Sequence, residues 1–321
     1  MKLIPHRRRS PAGAILFASA ASLAALAVGN YVAGRWAERK HPPSGSFMEV
    51  DGVRLHYTDR GRGSPIVLIH GNAVSSDDFD TSGLAALLLQ QHRVIAFDRP
   101  GFGYSDRPPG PPWTAERQAE LLRKALGQLG VERPVVVGHS WGAIVALALA
   151  LRHESDLAGL VLLSGYYFWT ARPDIALASL PALPIVGGIL RYTLSPLQGW
   201  LTMPLFKRLL FAPARVTPRF QAEFSPAMSL RPWQIQATAA DAALMIPSVL
   251  ALRDGYKGLT LPVAIIAGDG DKVVFDSHSE RLHASIEGSV LQVVKGAGHM
   301  VHHVAARQVA EAVEAVAGRA G

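Results

Sequence analysis

The chain predicts an α/β fold, a mostly parallel twisted sheet flanked by helices, and three observations carry that prediction. Short apolar runs at residues 66–69, 93–97, 135–137, 160–163, 263–267 and 290–294 are separated by segments that read as helices or loops, an alternation that builds parallel sheets. Several of these runs lead straight into glycine-containing turns that carry His, Ser or Asp, so parallel strands would bring those loops to one edge. With 49% hydrophobic and 18% charged residues over 321 positions, the chain has the composition of a well-buried globular protein rather than a disordered one.

The elements follow in chain order. Residues 1–40 contain seven Lys or Arg and one Glu, which leaves only +1 of the net +7 for everything after them. The basicity is therefore a targeting feature of a basic region at residues 1–11, and it implies no nucleic-acid partner. No charged residue lies between Arg9 and Arg35, and residues 12–34 are long and apolar enough to span a bilayer. A cleaved signal peptide is the competing reading, with Ala25, Leu26 and Ala27 as a small-residue cleavage site. Positive charge is denser before the segment, at Lys2, Arg7, Arg8 and Arg9, than after it. The expected placement is an inner-membrane anchor with the folded domain on the periplasmic side, or export after cleavage.

Residues 35–46 read as a linker marked by Pro42, Pro43 and Gly45. Asp51 and Gly52 between runs 47–50 and 53–58 signal a hairpin at the start of the sheet. Thr114 is the expected N-cap of a helix reaching about Leu129. Between Gly165 and Asp254 the alternation stops, and ten prolines punctuate short apolar helical pieces such as residues 205–211. Residues 165–254 are thus expected to form a helical cap inserted into a core made of residues 47–164 and 255–317. Among the cap's aromatics, Trp169, Trp200 and Trp233 have core packing as the default reading. Tyr166 and Tyr167 follow the strand end at Leu163 directly and are the expected pocket residues.

Gly138, His139, Ser140, Trp141 and Gly142 sit between an apolar run and the helix-like residues 143–151. A serine on such a tight strand-to-helix turn is held with its hydroxyl projecting above the sheet edge, and the next backbone N–H, that of Trp141, faces a developing oxyanion. Gly268, Asp269, Gly270 and Asp271 follow one later run, and Gly296, Ala297, Gly298 and His299 follow another. Upstream, His70, Gly71 and Asn72 end the run 66–69, where the N–H of Asn72 or its neighbour is placed to supply a second donor.

These pieces, with Asp98, Arg99, Pro100, Gly101, Phe102, Gly103, Tyr104 and Ser105, resemble the α/β-hydrolase superfamily, in its serine-nucleophile branch with a helical cap, over roughly residues 47–317. The resemblance implies the α/β-hydrolase fold and a triad of Ser140, Asp271 and His299 in the family's chain order. Haloalkane dehalogenases and epoxide hydrolases resemble the same pattern but carry aspartate at the elbow, where this chain has Ser140. The implied activity is hydrolysis of carboxylic esters of small apolar molecules through an acyl-enzyme. Carbon-carbon bond hydrolysis and cofactor-free perhydrolysis use similar triads and stay open. A membrane-anchored binding protein without catalysis is the reading from another class, and it needs none of this geometry.

Rival residues have their own readings. His139 flanks the serine but points elsewhere on an elbow, and so is expected to be structural. His299 and His303 have the i, i+4 spacing of a zinc pair, yet no glutamate stands between them as in the zincin arrangement. Asp269 rivals Asp271, Asp276 is a more distant rival, and Asp98 is expected to fix a turn. Gly101, Phe102 and Gly103 lack the rest of the dinucleotide fingerprint. The expectation is no cofactor and no metal, a small ester-like substrate, a membrane contact through the N-terminal segment, and an open oligomeric state.

Overall fold

The computed structural model describes residues 11–319. Eight strands form one sheet: β1 (Ser46–Val50), β2 (Val53–Gly61), β3 (Pro65–Ile69), β4 (Arg93–Phe97), β5 (Val135–His139), β6 (Gly159–Leu163), β7 (Val263–Gly268) and β8 (Val290–Val294). Their order across the sheet is β1-β2-β4-β3-β5-β6-β7-β8. Only the β1–β2 and β2–β4 pairs are antiparallel, so the predicted hairpin opens a sheet that is otherwise parallel. Strands β5, β6 and β7 are buried at every position, which is why they read as unbroken apolar runs rather than as alternations. Their side chains still divide by a period of two. Val136, Leu160 and Leu162 enter the core on one face, while Val135, Val137, Val161 and Leu163 enter that on the other.

Helices cover both faces. Thr114 caps the helix Ala115–Gln128, its side chain accepting a hydrogen bond from the Arg117 N–H. The helix Trp141–His153 is buried from Trp141 to Ala150 and has no polar face to present, as its sequence requires.

Between β6 and β7 the chain is helical: Pro173–Ala178, Val186–Tyr192, Leu194–Phe211, Pro218–Glu223, Pro226–Ser229 and Pro232–Leu252. Four of these begin with proline, whose missing N–H costs nothing in a first helical turn. Four of the ten prolines thus start helices, whereas Pro204 and Pro247 lie inside them. Residues 205–211 are not a separate piece; they end an 18-residue helix that carries Pro204 in its interior.

The N-terminal helix runs from Pro11 to Lys40 and is long and apolar enough to cross a membrane. The basic region expected at residues 1–11 lies, but for Pro11, outside the described residues. The linker expected from residue 35 is helical as far as Lys40, leaving 41–45 as the irregular connection. A tertiary contact accounts for this difference: Ala37 is buried and the Glu38 carboxylate accepts a 2.8 Å bond from Arg231 of the helical insertion. The helix Pro232–Leu252, with the turn that follows it to Gly258, is also long and apolar enough to cross a membrane, but it is packed into the protein and bears the fully buried Asp241.

Candidate active site

Ser140 joins β5 to the helix Trp141–His153 with φ 53° and ψ −115°, a strained conformation for a residue other than glycine. The turn closes because its neighbours lack side chains: a Cβ on Gly142 would lie 2.1 Å from the Ile69 carbonyl oxygen, and one on Gly138 would lie 2.5 Å from that of Gly142. The Ser140 N–H donates to the Leu163 carbonyl at 2.8 Å, fixing the turn to β6.

The three residues singled out from the sequence converge here. His299 Nε2 lies 3.0 Å from Ser140 Oγ, and His299 Nδ1 lies 2.8 Å from Asp271 Oδ2. The second oxygen of Asp271 accepts from the backbone N–H groups of Val273 and Val274 at 2.8 and 2.9 Å, so the carboxylate is anchored before it meets the ring. With Nδ1–H given to Asp271, the Nε2 lone pair faces the serine hydroxyl, the arrangement of a base that can take its proton. Asp269 is turned away and accepts from the Gly296 N–H at 2.7 Å. Asp276 immediately precedes the helix Ser277–Ser285. Asp98 accepts from the Ser76 and Tyr104 N–H groups, the Ser76 hydroxyl and His56 Nδ1, so it ties the loop after β4 to that after β3.

Asn72 and Trp141 both line the cavity that holds Ser140 and His299. Of the two upstream N–H groups, that of Ala73 is engaged by Asn72 Oδ1 at 3.1 Å. The Asn72 side-chain amide in turn donates to the Thr238 carbonyl of the insertion at 3.0 Å. His70 holds this loop from beneath: its Nδ1–H donates to the Gly71 carbonyl and its Nε2 accepts from the Arg99 N–H. Burial, reinforced by the Arg99 charge, lowers the His70 pKa from 6.5 to about 4, so the ring is neutral and can accept there.

Two groups near the site were not legible from spacing. Arg99 is fully buried, donates to the carbonyls of His70 and Gly71, and pairs at 2.5 Å with Asp241 of the insertion. A lone arginine in a turn motif and a lone aspartate in an apolar helix gave no sign of each other across 142 positions. Behind His299, the carboxylate of Asp78 receives His302 Nε2 at 2.7 Å and His303 Nε2 at 2.8 Å. Burial alone would raise the Asp78 pKa, but the two imidazoles hold it well below the usual carboxylate range. The i, i+4 pair His299 and His303 is therefore divided, one ring on Asp271 and the other on Asp78. Among the described residues, ligand atoms of Asp78, His139 and His302 lie within 4.8 Å of one another, close enough for a metal ion. His139 Nε2 lies 3.1 Å from the His299 carbonyl oxygen, a contact that braces the backbone of that histidine.

The cavity has a volume of about 390 Å³ and is walled on the far side by the insertion, through Ala178, Met203, Phe206 and Met245 among others. Tyr166 lines it, but Tyr167 does not. Successive residues leaving the end of β6 diverge, and the Tyr167 ring turns inward, where it is fully buried and its hydroxyl accepts from the Gly165 N–H. A wider cleft of about 740 Å³ between the N-terminal helix and the Pro108–Pro112 loop contains none of the three convergent residues.

The sequence profile of the alpha/beta hydrolase fold family matches residues 64–306, and the chain belongs to that family. A 2-hydroxymuconate semialdehyde hydrolase of Pseudomonas putida is 37% identical over 127 residues, which are 40% of this chain and 45% of that one. An esterase of Thermogutta terrifontis superposes with a TM-score of 0.65 at 21% identity, covering 86% of this chain and 99% of the esterase. A bacterial membrane phospholipase A superposes with a TM-score of 0.66 at 20% identity, covering 95% of this chain and 94% of the phospholipase. Fold and family are thus those of the alpha/beta hydrolases, and the matched segment spans less than half the length of the Pseudomonas putida relative.

Proposed function

We propose that the protein is a membrane-anchored serine hydrolase that cleaves carboxylic esters of apolar molecules through an acyl-enzyme. The observation that carries this reading is the chain of contacts from Asp271 through His299 to Ser140, 2.8 and 3.0 Å, at the floor of an apolar cavity. Ser140 Oγ attacks the ester carbonyl while His299 takes its proton, and His299 then returns that proton to the leaving alcohol. Water repeats the sequence to free the acid. Asp271 keeps Nδ1 protonated and stabilises the imidazolium. The N–H groups of Asn72 and Trp141 receive the oxyanion, where loss of one donor costs about 3 to 4 kcal/mol in activation free energy. Apolar walls from the cap favour an acyl chain and exclude water. The N-terminal helix supplies the membrane anchor, with the basic residues before it on the cytoplasmic side and the hydrolase domain outside.

Hydrolysis of a carbon-carbon bond is the second reading, favoured by the name of the Pseudomonas putida relative. A p-nitrophenyl ester series of rising acyl length separates the two. Ester turnover that vanishes in Ser140→Ala supports the acyl-enzyme reading. Labelling of Ser140 by a phosphonate without ester turnover moves the assignment to the carbon-carbon reaction, and no labelling at all removes both.

A further inference from the structure

The outer face of the cap is apolar where a soluble domain would be polar. Leu177, Leu201 and Leu205 are 69%, 74% and 71% exposed, and Ile185 is 83% exposed. Arg191 is the only charged residue between Ile175 and Phe206, and no acidic residue occurs between Ile175 and Ala222. The charges on this stretch and just after it, Arg191, Lys207, Arg208, Arg215 and Arg219, are basic; the flanking acids Asp174 and Glu223 are paired with Arg172 and Arg219, which leaves the border cationic. An apolar surface of this extent with a cationic border fits one partner, an anionic lipid bilayer.

The N-terminal helix shows where that bilayer would lie. Residues 12–26 are exposed throughout, and Gly29 has no neighbour within 4 Å of where its Cβ would be. At Asn30 the helix meets the cap: its side-chain amide donates to the carbonyls of Tyr192 and Thr193 at 2.8 and 3.0 Å, and the Tyr31 ring packs edge-on against Trp233. Residues 12–29 extend about 27 Å as a helix, close to the ~30 Å hydrocarbon thickness of a bilayer. A membrane that takes this free stretch ends where the helix is seated on the cap, beside the exposed apolar face. Exposed Trp36 and Trp200 are the amphipathic side chains expected at that level.

The same helices form the site's outer wall. Ala178 and Phe206 line the cavity while their neighbours Leu177 and Leu205 face outward, and Phe206 is itself 41% exposed. We propose that the cap docks on the bilayer beside the anchor, and that the cavity is filled from the lipid phase with long acyl esters rather than from water. This rests on the ester-hydrolase reading above.

The test uses full-length protein in vesicles containing phosphatidylglycerol, with a fluorogenic long-chain acyl ester in the bilayer and p-nitrophenyl butyrate in water. Leu201→Glu with Leu205→Glu is expected to lower turnover of the bilayer ester by about tenfold or more while leaving butyrate hydrolysis within about twofold. Equal loss on both substrates, or loss on neither, overturns the proposal. The chain has no cysteine, so single variants Ile185→Cys, Leu177→Cys and Glu287→Cys can carry one fluorescent label each. Lipid-borne nitroxide is expected to quench the first two labels and not the third, a readout independent of turnover. Quenching at none overturns the docking, as does burial of the first two labels by self-association without lipid. Wild-type protein inactive on both esters, with the first two labels quenched, leaves the docking standing and counts against the hydrolase reading instead.

Discussion

Every side chain of β5, β6 and β7 is buried, whereas in the cap Leu177, Ile185, Leu201 and Leu205 stand between 69% and 83% exposed. Both regions are rich in aliphatic residues, so composition does not distinguish them. The core turns its aliphatics inward from a sheet, and its polar groups appear at the strand ends, tied down by backbone hydrogen bonds. The cap lines a cavity with one side of its helices and, among the described residues, leaves much of the other side without a protein partner. Rigid placement of Ser140, Asp271 and His299 comes from the first region, and the far wall of the cavity beside them comes from the second. The two are joined by a set of polar ties, among them Arg99 and Arg107 to Asp241, Asn72 to Thr238, Gly103 to Gln234 and Arg231, and the Met300 N–H to the Leu210 carbonyl.

The sharpest test of this division is chemical. Ser140→Ala is expected to lower kcat by about a million-fold if the three residues act as a unit, and steady-state turnover of an ester checks it. Asp271→Asn is expected to cost about ten-thousand-fold by leaving His299 in the wrong tautomer. In either variant the cap's binding of a non-hydrolysable ester analogue should persist, and its loss would break the separation of roles.

The seam between the regions comes next. Asp241→Ala strands the buried Arg99 guanidinium and is expected to destabilise the protein by about 3 to 5 kcal/mol, read from the urea midpoint. A loss below about 1 kcal/mol would mean that the Arg99–Asp241 pair does little to hold the cap, leaving that to apolar contact and to ties such as Asn72 to Thr238.

Acid probes the core's loop support. The folded state lowers the His70 pKa from 6.5 to about 4, so between those values the unfolded chain binds more protons. The contribution of neutral His70 is complete above pH 6.5 and is lost as pH falls through about 4, an effect of about 3 kcal/mol. Denaturation curves between pH 7 and 4 test this, and His70→Gln should flatten the dependence.

Smaller effects refine the map. Met245→Ala in the cap wall should shift the acyl-length preference toward longer chains by about tenfold without changing the nucleophile's labelling. Asp269→Asn, two positions from Asp271, should change stability by less than about 0.5 kcal/mol and leave turnover nearly intact.

Much of the sheet was legible because buried parallel strands must be short apolar runs, and because a turn as tight as the one at Ser140 demands glycine on both sides. Asp271 and His299 were legible for a related reason: each follows such a run, and strand ends in a parallel sheet meet at one edge. Local signals also sufficed for the hairpin at Asp51 and Gly52 and for the cap at Thr114. What sequence could not carry was any relation made by side chains that are distant in the chain and lie in no repeating pattern. The Arg99–Asp241 pair, the Asp78 carboxylate shared by His302 and His303, and the helical seating of residues 35–40 against Arg231 are of that kind. The inward turn of Tyr167 beside the cavity-facing Tyr166 belongs with them, since the divergence of two adjacent rings depends on which space the packed core leaves open. Periodicity and turn chemistry are properties of neighbours along the chain, and they determined the sheet, its order of chemistry-bearing loops and the apolar head. Burial is a property of the whole fold, and only it decided which charges found partners and which apolar face was left without one.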